Sequence, residues 1–76
     1  MHIQRLEYLS PVDALVAIAK RLNRYEERYH RSSEEFYRQY RNGLLDDAEE
    51  FVEWSGDYQH YLALRLDIEQ QLRYAA

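Results

Sequence analysis

Between Ser32 and Tyr61 the chain reads SSEEFYRQYRNGLLDDAEEFVEWSGDYQHY, and this run limits the fold class more than any other part of the sequence. Ser32-Ser33-Glu34-Glu35 has the form of a capping box: the serine hydroxyl accepts from a backbone N–H one turn on, and the glutamate reaches back to the serine N–H. The short helix so opened carries Phe36, Tyr37 and Tyr40. Asn42-Gly43 stops it, because glycine readily takes left-handed backbone beyond a helix end. Leu44 and Leu45 are expected to pack over that turn. Asp46-Asp47-Ala48-Glu49 is a second start, with aspartate in the capping role. From there Phe51, Trp54, Tyr58, Tyr61, Arg65, Ile68 and Leu72 recur at steps of three and four, the period of one helix face, with Leu62 and Leu66 beside them. Gly56 is the weak point, since glycine costs up to ~1 kcal/mol relative to alanine inside a helix. The aromatic period crosses it unbroken, which favours one continuous helix over a break with Asp57 opening another.

Upstream, Ser10-Pro11-Val12-Asp13 is a further start: serine caps, proline is preorganised for the first helical position, and the aspartate suits the first turn. Leu15, Ile18, Leu22, Tyr25 and Tyr29 then form an apolar stripe, which Val12, Val16 and Ala19 widen. The spacing predicts helices over 11–30, 33–42 and 46–74 within a single domain covering residues 1–76. Residues 1–9 form an N-terminal arm that fits a short strand, an extended segment or a helical turn. The fold class is therefore all-α, an antiparallel helical hairpin of two long helices with a short connecting helix. Two helices cannot cover a stripe that holds Trp54, Tyr58 and Tyr61, so part of it is expected in a homo-oligomer, most simply a dimer, or in a partner interface.

Several functions are disfavoured by composition. With 76 residues and no cysteine, the chain has a small core and neither disulfides nor thiolate metal sites to support it. No stretch approaches the ~20 apolar residues that span a bilayer, and no signal-peptide pattern opens the chain. A cytoplasmic protein that does not contact membrane is expected. The net charge of −4 argues against direct nucleic-acid binding. The charges are nevertheless segregated. Lys20, Arg21, Arg24, Arg28, Arg31, Arg38 and Arg41 precede an acidic block of Asp46, Asp47, Glu49, Glu50, Glu53 and Asp57. These blocks either pair with each other or present separate patches.

His2, His30 and His60 lack metal-ligand spacing, and the acidic block lacks the calcium-loop pattern. Neither a nucleophile set nor a phosphate-cradling glycine loop is present. The expectation is no enzyme activity, no cofactor and no metal. Tyrosine and tryptophan are enriched in binding hot spots, and acids complement basic partners. Phe36, Tyr37, Tyr40, Asp47, Glu50, Glu53, Trp54 and Tyr58 are accordingly the candidate partner-binding residues. Arg65 on the apolar stripe is expected either to pair with Glu26 or Glu27, or to reach out to water.

The stretch from Tyr25 to Tyr61 resembles a family of short helical proteins of cyanobacteria and other bacteria. Their loose pattern is E-R-Y-G-M-S-S-E-E-F-Y-R-R-Y, a G-L-x-D turn, then D-F-x-E-W and a tyrosine-rich continuation. Glu27-Arg28-Tyr29, Ser32 to Tyr37, Tyr40, Gly43, Asp47, Phe51, Glu53-Trp54 and Tyr58 match it, while His30 and Arg31 replace the usual glycine and methionine. Such proteins look like the antitoxin halves of small toxin–antitoxin gene pairs, often beside an RNase-like toxin. The resemblance implies that this chain neutralises a cognate toxin by direct binding, its acidic surface filling a basic RNA-binding groove. A glycine-to-histidine change also implies a less comfortable stop to the first helix. A stand-alone structural homo-oligomer is the alternative.

Overall fold

The computed structural model describes residues 10–75. These form three helices, α1 (Pro11–Tyr29), α2 (Ser33–Arg41) and α3 (Glu49–Ala75). The expected arm over residues 1–9 lies outside the described residues. Helix α1 opens as its sequence requires: Ser10 is extended, its hydroxyl accepts the Asp13 N–H at 3.2 Å, and Pro11 takes the first turn. His30 ends the helix in the left-handed region (φ 53°, ψ 50°), despite carrying a side chain. The N–H groups of His30 and Arg31 both donate to the Glu26 carbonyl, which satisfies an otherwise orphaned acceptor.

Half of the capping box at α2 forms. The Ser32 hydroxyl accepts the Glu35 N–H at 3.1 Å, but the Glu35 carboxylate turns forward to Arg38 and to Gln39 instead of back to Ser32. Gly43, at φ 73°, closes α2 in a Schellman motif, with Leu44 N–H on Gln39 C=O (3.0 Å) and Gly43 N–H on Tyr40 C=O (3.1 Å). Of the two leucines that follow, Leu45 packs against the core and Leu44 stays exposed.

Helix α3 begins at Glu49, later than the expected 46. Asp46 does not cap it. Its carboxylate accepts the Ala48 N–H at 3.1 Å, a local turn that holds the chain out of the helix, and the Ala48 carbonyl takes the first helical bonds from Phe51 and Val52. Beyond that point α3 runs for 27 residues, continuous through Gly56.

The two long helices pair antiparallel. Tyr29, at the end of α1, meets Phe51 near the start of α3, while Arg21 and Tyr25 meet Asp57 farther along it. Helix α2 closes one end of this hairpin. Leu22, Phe36 and Trp54 form the centre of the core, ringed by Tyr25, Tyr29, Tyr37, Tyr40, Leu45, Phe51, Tyr58 and Tyr61. The Phe36 and Trp54 rings stack nearly parallel, with centroids 3.8 Å apart. Fully burying a phenylalanine side chain is worth about 1.5–3 kcal/mol, and the larger Trp54 ring removes more area from water than Phe36 does.

On α1 the buried line is Ala14, Ile18 and Leu22. Val12 and Val16, expected to widen the stripe inward, are 54% and 49% exposed. Each of α1 and α2 has one apolar face. In α3 apolar side chains occupy more than one side, so its net amphipathicity almost vanishes.

Candidate protein-interaction site

The eight residues expected to meet a partner separate into three groups. Phe36 and Trp54 are corrections to that expectation. Both are 0% exposed, and together they hold α2 against α3. The Trp54 indole N–H donates to the buried Ser33 hydroxyl at 2.9 Å, so even the polar edge of the ring is satisfied inside the chain. Periodicity places Trp54 on the α3 stripe and Phe36 on α2 but could not tell core from surface, because α2 contributes the missing third wall.

A second group is tied up along the α1–α3 seam and the α2–α3 turn. Glu50 accepts from the Tyr29 hydroxyl and pairs with Arg28 at 3.2 Å. Asp47 accepts the Tyr40 hydroxyl at 3.3 Å, and the Tyr40 ring stacks on Phe36 with centroids 5.5 Å apart. Asp57, not among the expected site residues, is the best-satisfied acid. Arg21 grips it as a fork at 3.2 and 3.1 Å, and the Tyr25 hydroxyl donates to it at 3.2 Å. The basic and acidic sequence blocks therefore meet in space at two points, Arg21–Asp57 and Arg28–Glu50.

The tyrosine hydroxyls record these surroundings. Burial and then Asp57 push the Tyr25 phenol up from its ordinary value, and the hydrogen bond to Glu50, then burial, does the same at Tyr29. Burial followed by Asp47 raises Tyr40, and burial followed by Glu34 raises Tyr58.

A third group remains at the surface. Tyr37 of α2 and Tyr58 of α3 have ring centroids 5.2 Å apart, and Tyr61 stacks against Tyr58 at 6.1 Å. Leu62, 39% exposed, extends this row. On one side of Tyr58 lies an open cavity of about 370 Å³ lined by Glu34, Tyr37, Arg38, Arg41, Asn42 and Leu62. On the other side a depression of about 380 Å³ reaches Ser32, Ser33, Glu26, Tyr61 and Arg65. Arg41 sits over the Tyr37 ring and Arg65 over Tyr61, at 5.8 and 5.9 Å. Arg65 pairs with Glu69 at 3.6 Å, not with Glu26 or Glu27. Its guanidinium pKa is raised, first by Tyr61 and then by Glu69. Tyr61 belongs to the stripe that two helices could not cover, whereas Leu62 was not among the expected contacts; it lies one turn from Tyr58, the signal that could have found it.

Glu53 is exposed and forms no ion pair among the described residues. Among those residues no group of three or more His, Cys, Asp and Glu side chains is placed to hold a metal ion. None of the described helices is long and apolar enough to cross a membrane. No protein-family model, curated protein or solved structure matches the chain.

Proposed function

We propose that this chain is a non-enzymatic protein-interaction module that binds its partner through the Tyr37–Tyr58–Tyr61–Leu62 row, with an antitoxin-like neutraliser of a cognate toxin as its biological form. One observation carries the binding reading: a half-buried tyrosine row between two open, cation-edged cavities. Tyrosine offers large rigid area and a polar tip at low entropic cost, which is the composition of a binding surface. The neutralising role rests on the sequence resemblance. Glu53, exposed and without an ion pair among the described residues, would add an acidic complement to a basic toxin groove.

The test is to express the product of each neighbouring gene alone and together with this chain. Relief of growth arrest by the wild type, lost on Tyr58→Ser or Leu62→Glu, supports the reading. Charge reversal at Glu53 should weaken the purified complex and steepen its loss with salt. Glu50 is unsuited to that test, because reversing it would break the Tyr29 and Arg28 contacts. Absence of any neighbour that binds stoichiometrically would defeat the neutraliser. The alternative reading is a structural homo-oligomer.

A further inference from the structure

Glu34 and Arg41 stand near the two ends of α2, about two helical turns and roughly 10 Å apart along the axis. Both line the open cavity of about 370 Å³ beside Tyr58. Both are exposed, and neither forms an ion pair among the described residues. The third charge at this rim, Arg38, is engaged by Glu35. Between the two ends the wall is largely apolar. The Tyr37 and Tyr58 ring centroids lie 5.2 Å apart, and Leu62 continues the surface. The cavity thus has an unpaired carboxylate at one end, an unpaired guanidinium at the other and aromatic rings between them.

We infer that this cavity takes an amphipathic helix of the partner, which sets an apolar side chain among Tyr37, Tyr58 and Leu62 and carries an acidic residue for Arg41 and a basic residue for Glu34. The inference rests on the tyrosine row being the partner's binding surface, and it adds the chemistry of what that surface receives. Charge selects a bipolar segment. A segment of one sign loses at one end of the cavity what it gains at the other, whereas opposite charges gain at both. Arg41 is also prepared for a carboxylate. Its guanidinium lies over the Tyr37 ring at 5.8 Å, and an arginine stacked on a ring keeps its N–H edge for such a partner.

The backbone selects a helix. An extended peptide binds by adding a strand to a sheet edge, but the regular elements of the described residues are all helices, which leaves recognition to side chains in a groove. On a helix, positions i and i+7 share one face at the same spacing of about 10 Å, with i+3 or i+4 between them for the anchor. A second copy is the rival occupant, since its own α2 carries Glu34 and Arg41. It lacks a free anchor, because its Tyr37 is packed against its own Tyr58 and lies under its own Arg41.

The test is selection from a displayed library of helical peptides, randomised at two positions seven apart and at the positions between them, with the purified full chain as bait. The wild type is expected to enrich one acidic and one basic residue around a large apolar one. Arg41→Glu should turn the preference to two basic residues, and Glu34→Lys to two acidic ones, with circular dichroism verifying that both variants stay helical. In fluorescence polarisation the peptide enriched on the wild type should bind either variant roughly three- to tenfold more weakly, a difference that shrinks with added salt. Tyr58→Ser should abolish enrichment. The same charges enriched on all three chains would overturn the inference and leave the row as the binding surface, whereas enrichment that survives Tyr58→Ser would remove the row itself. No enrichment over the starting library would overturn the inference, and co-expression with the neighbouring genes would still decide the row. A purified chain that sediments as a dimer, and as a monomer after Arg41→Glu, would give the cavity to a second copy and overturn the inference as well.

Discussion

Trp54 donates its indole N–H to the Ser33 hydroxyl at 2.9 Å, tying the first residue of α2 to the second turn of α3 inside the core. Ser33 is 3% exposed and its own N–H donates to Glu26, so one small residue links all three helices. Ser33→Ala leaves the indole N–H buried without a partner and should cost about 1–3 kcal/mol in urea unfolding. Trp54→Phe removes the donor together with ring volume. The double variant should therefore lose less than the sum of the two, and strict additivity would mean that the bond contributes nothing.

Asp57 makes a comparable link between α1 and α3. Its side chain is 14% exposed, whereas that of Arg21 is 53% exposed, so the ion pair is substantially screened by water. Asp57→Ala should cost about 1–2 kcal/mol, partly by stranding the Tyr25 hydroxyl. The Arg21–Asp57 coupling in a double-mutant cycle should be about 0.5–1 kcal/mol and shrink with added salt. A coupling unaffected by salt would contradict the exposed geometry at Arg21.

Four tyrosines define a pH limit. Tyr25, Tyr29, Tyr40 and Tyr58 hold their protons more tightly when folded than the ordinary phenol at 10.0. Below that value both folded and unfolded chains are protonated, and the stabilisation from these hydroxyls is complete. As the pH rises past 10.0 the unfolded chain ionises first, so stability falls through the raised folded pKa values. Tyrosinate absorbance should show an early fraction from exposed phenols and a late one released together with helix loss. A single transition at the ordinary phenol value, with helicity intact, would contradict these contacts.

The fold was legible where local chemistry decides it. Ser10-Pro11 and Ser32 cap as their residue types require, and Gly43 turns left-handed where a helix has to stop. The three-helix hairpin follows from those signals and the apolar period. Long-range geometry was much less legible. Asp46 could cap a helix or close a turn, and only the path taken by Leu44 and Leu45 selects the turn. Trp54 and Phe36 could be core or contact, and that choice depends on where α2 settles. Asp57 looked like one acid among several until α1 placed Arg21 and Tyr25 on it.

His30 is a local compromise. It holds a left-handed conformation at φ 53° to end α1, and nothing among the described side-chain hydrogen bonds rewards it for doing so. The clash of a Cβ with the following carbonyl costs about 1–2 kcal/mol, part of which glycine returns as unfolded-state entropy. His30→Gly should raise stability by roughly 0.5–1 kcal/mol, whereas His30→Val should lower it by more, because a β-branched side chain tolerates this region worst. Thermal denaturation of both variants checks the order; a destabilising glycine would mean that the imidazole makes a contact worth more than the strain.

Gly56→Ala tests helix propensity at a site free of packing. The added methyl meets nothing within 4 Å, so only the backbone preference changes, and stability should rise by up to ~1 kcal/mol in urea unfolding. A loss of stability on this substitution would contradict the open space around Gly56, since a glycine with no packing role should be improved by alanine.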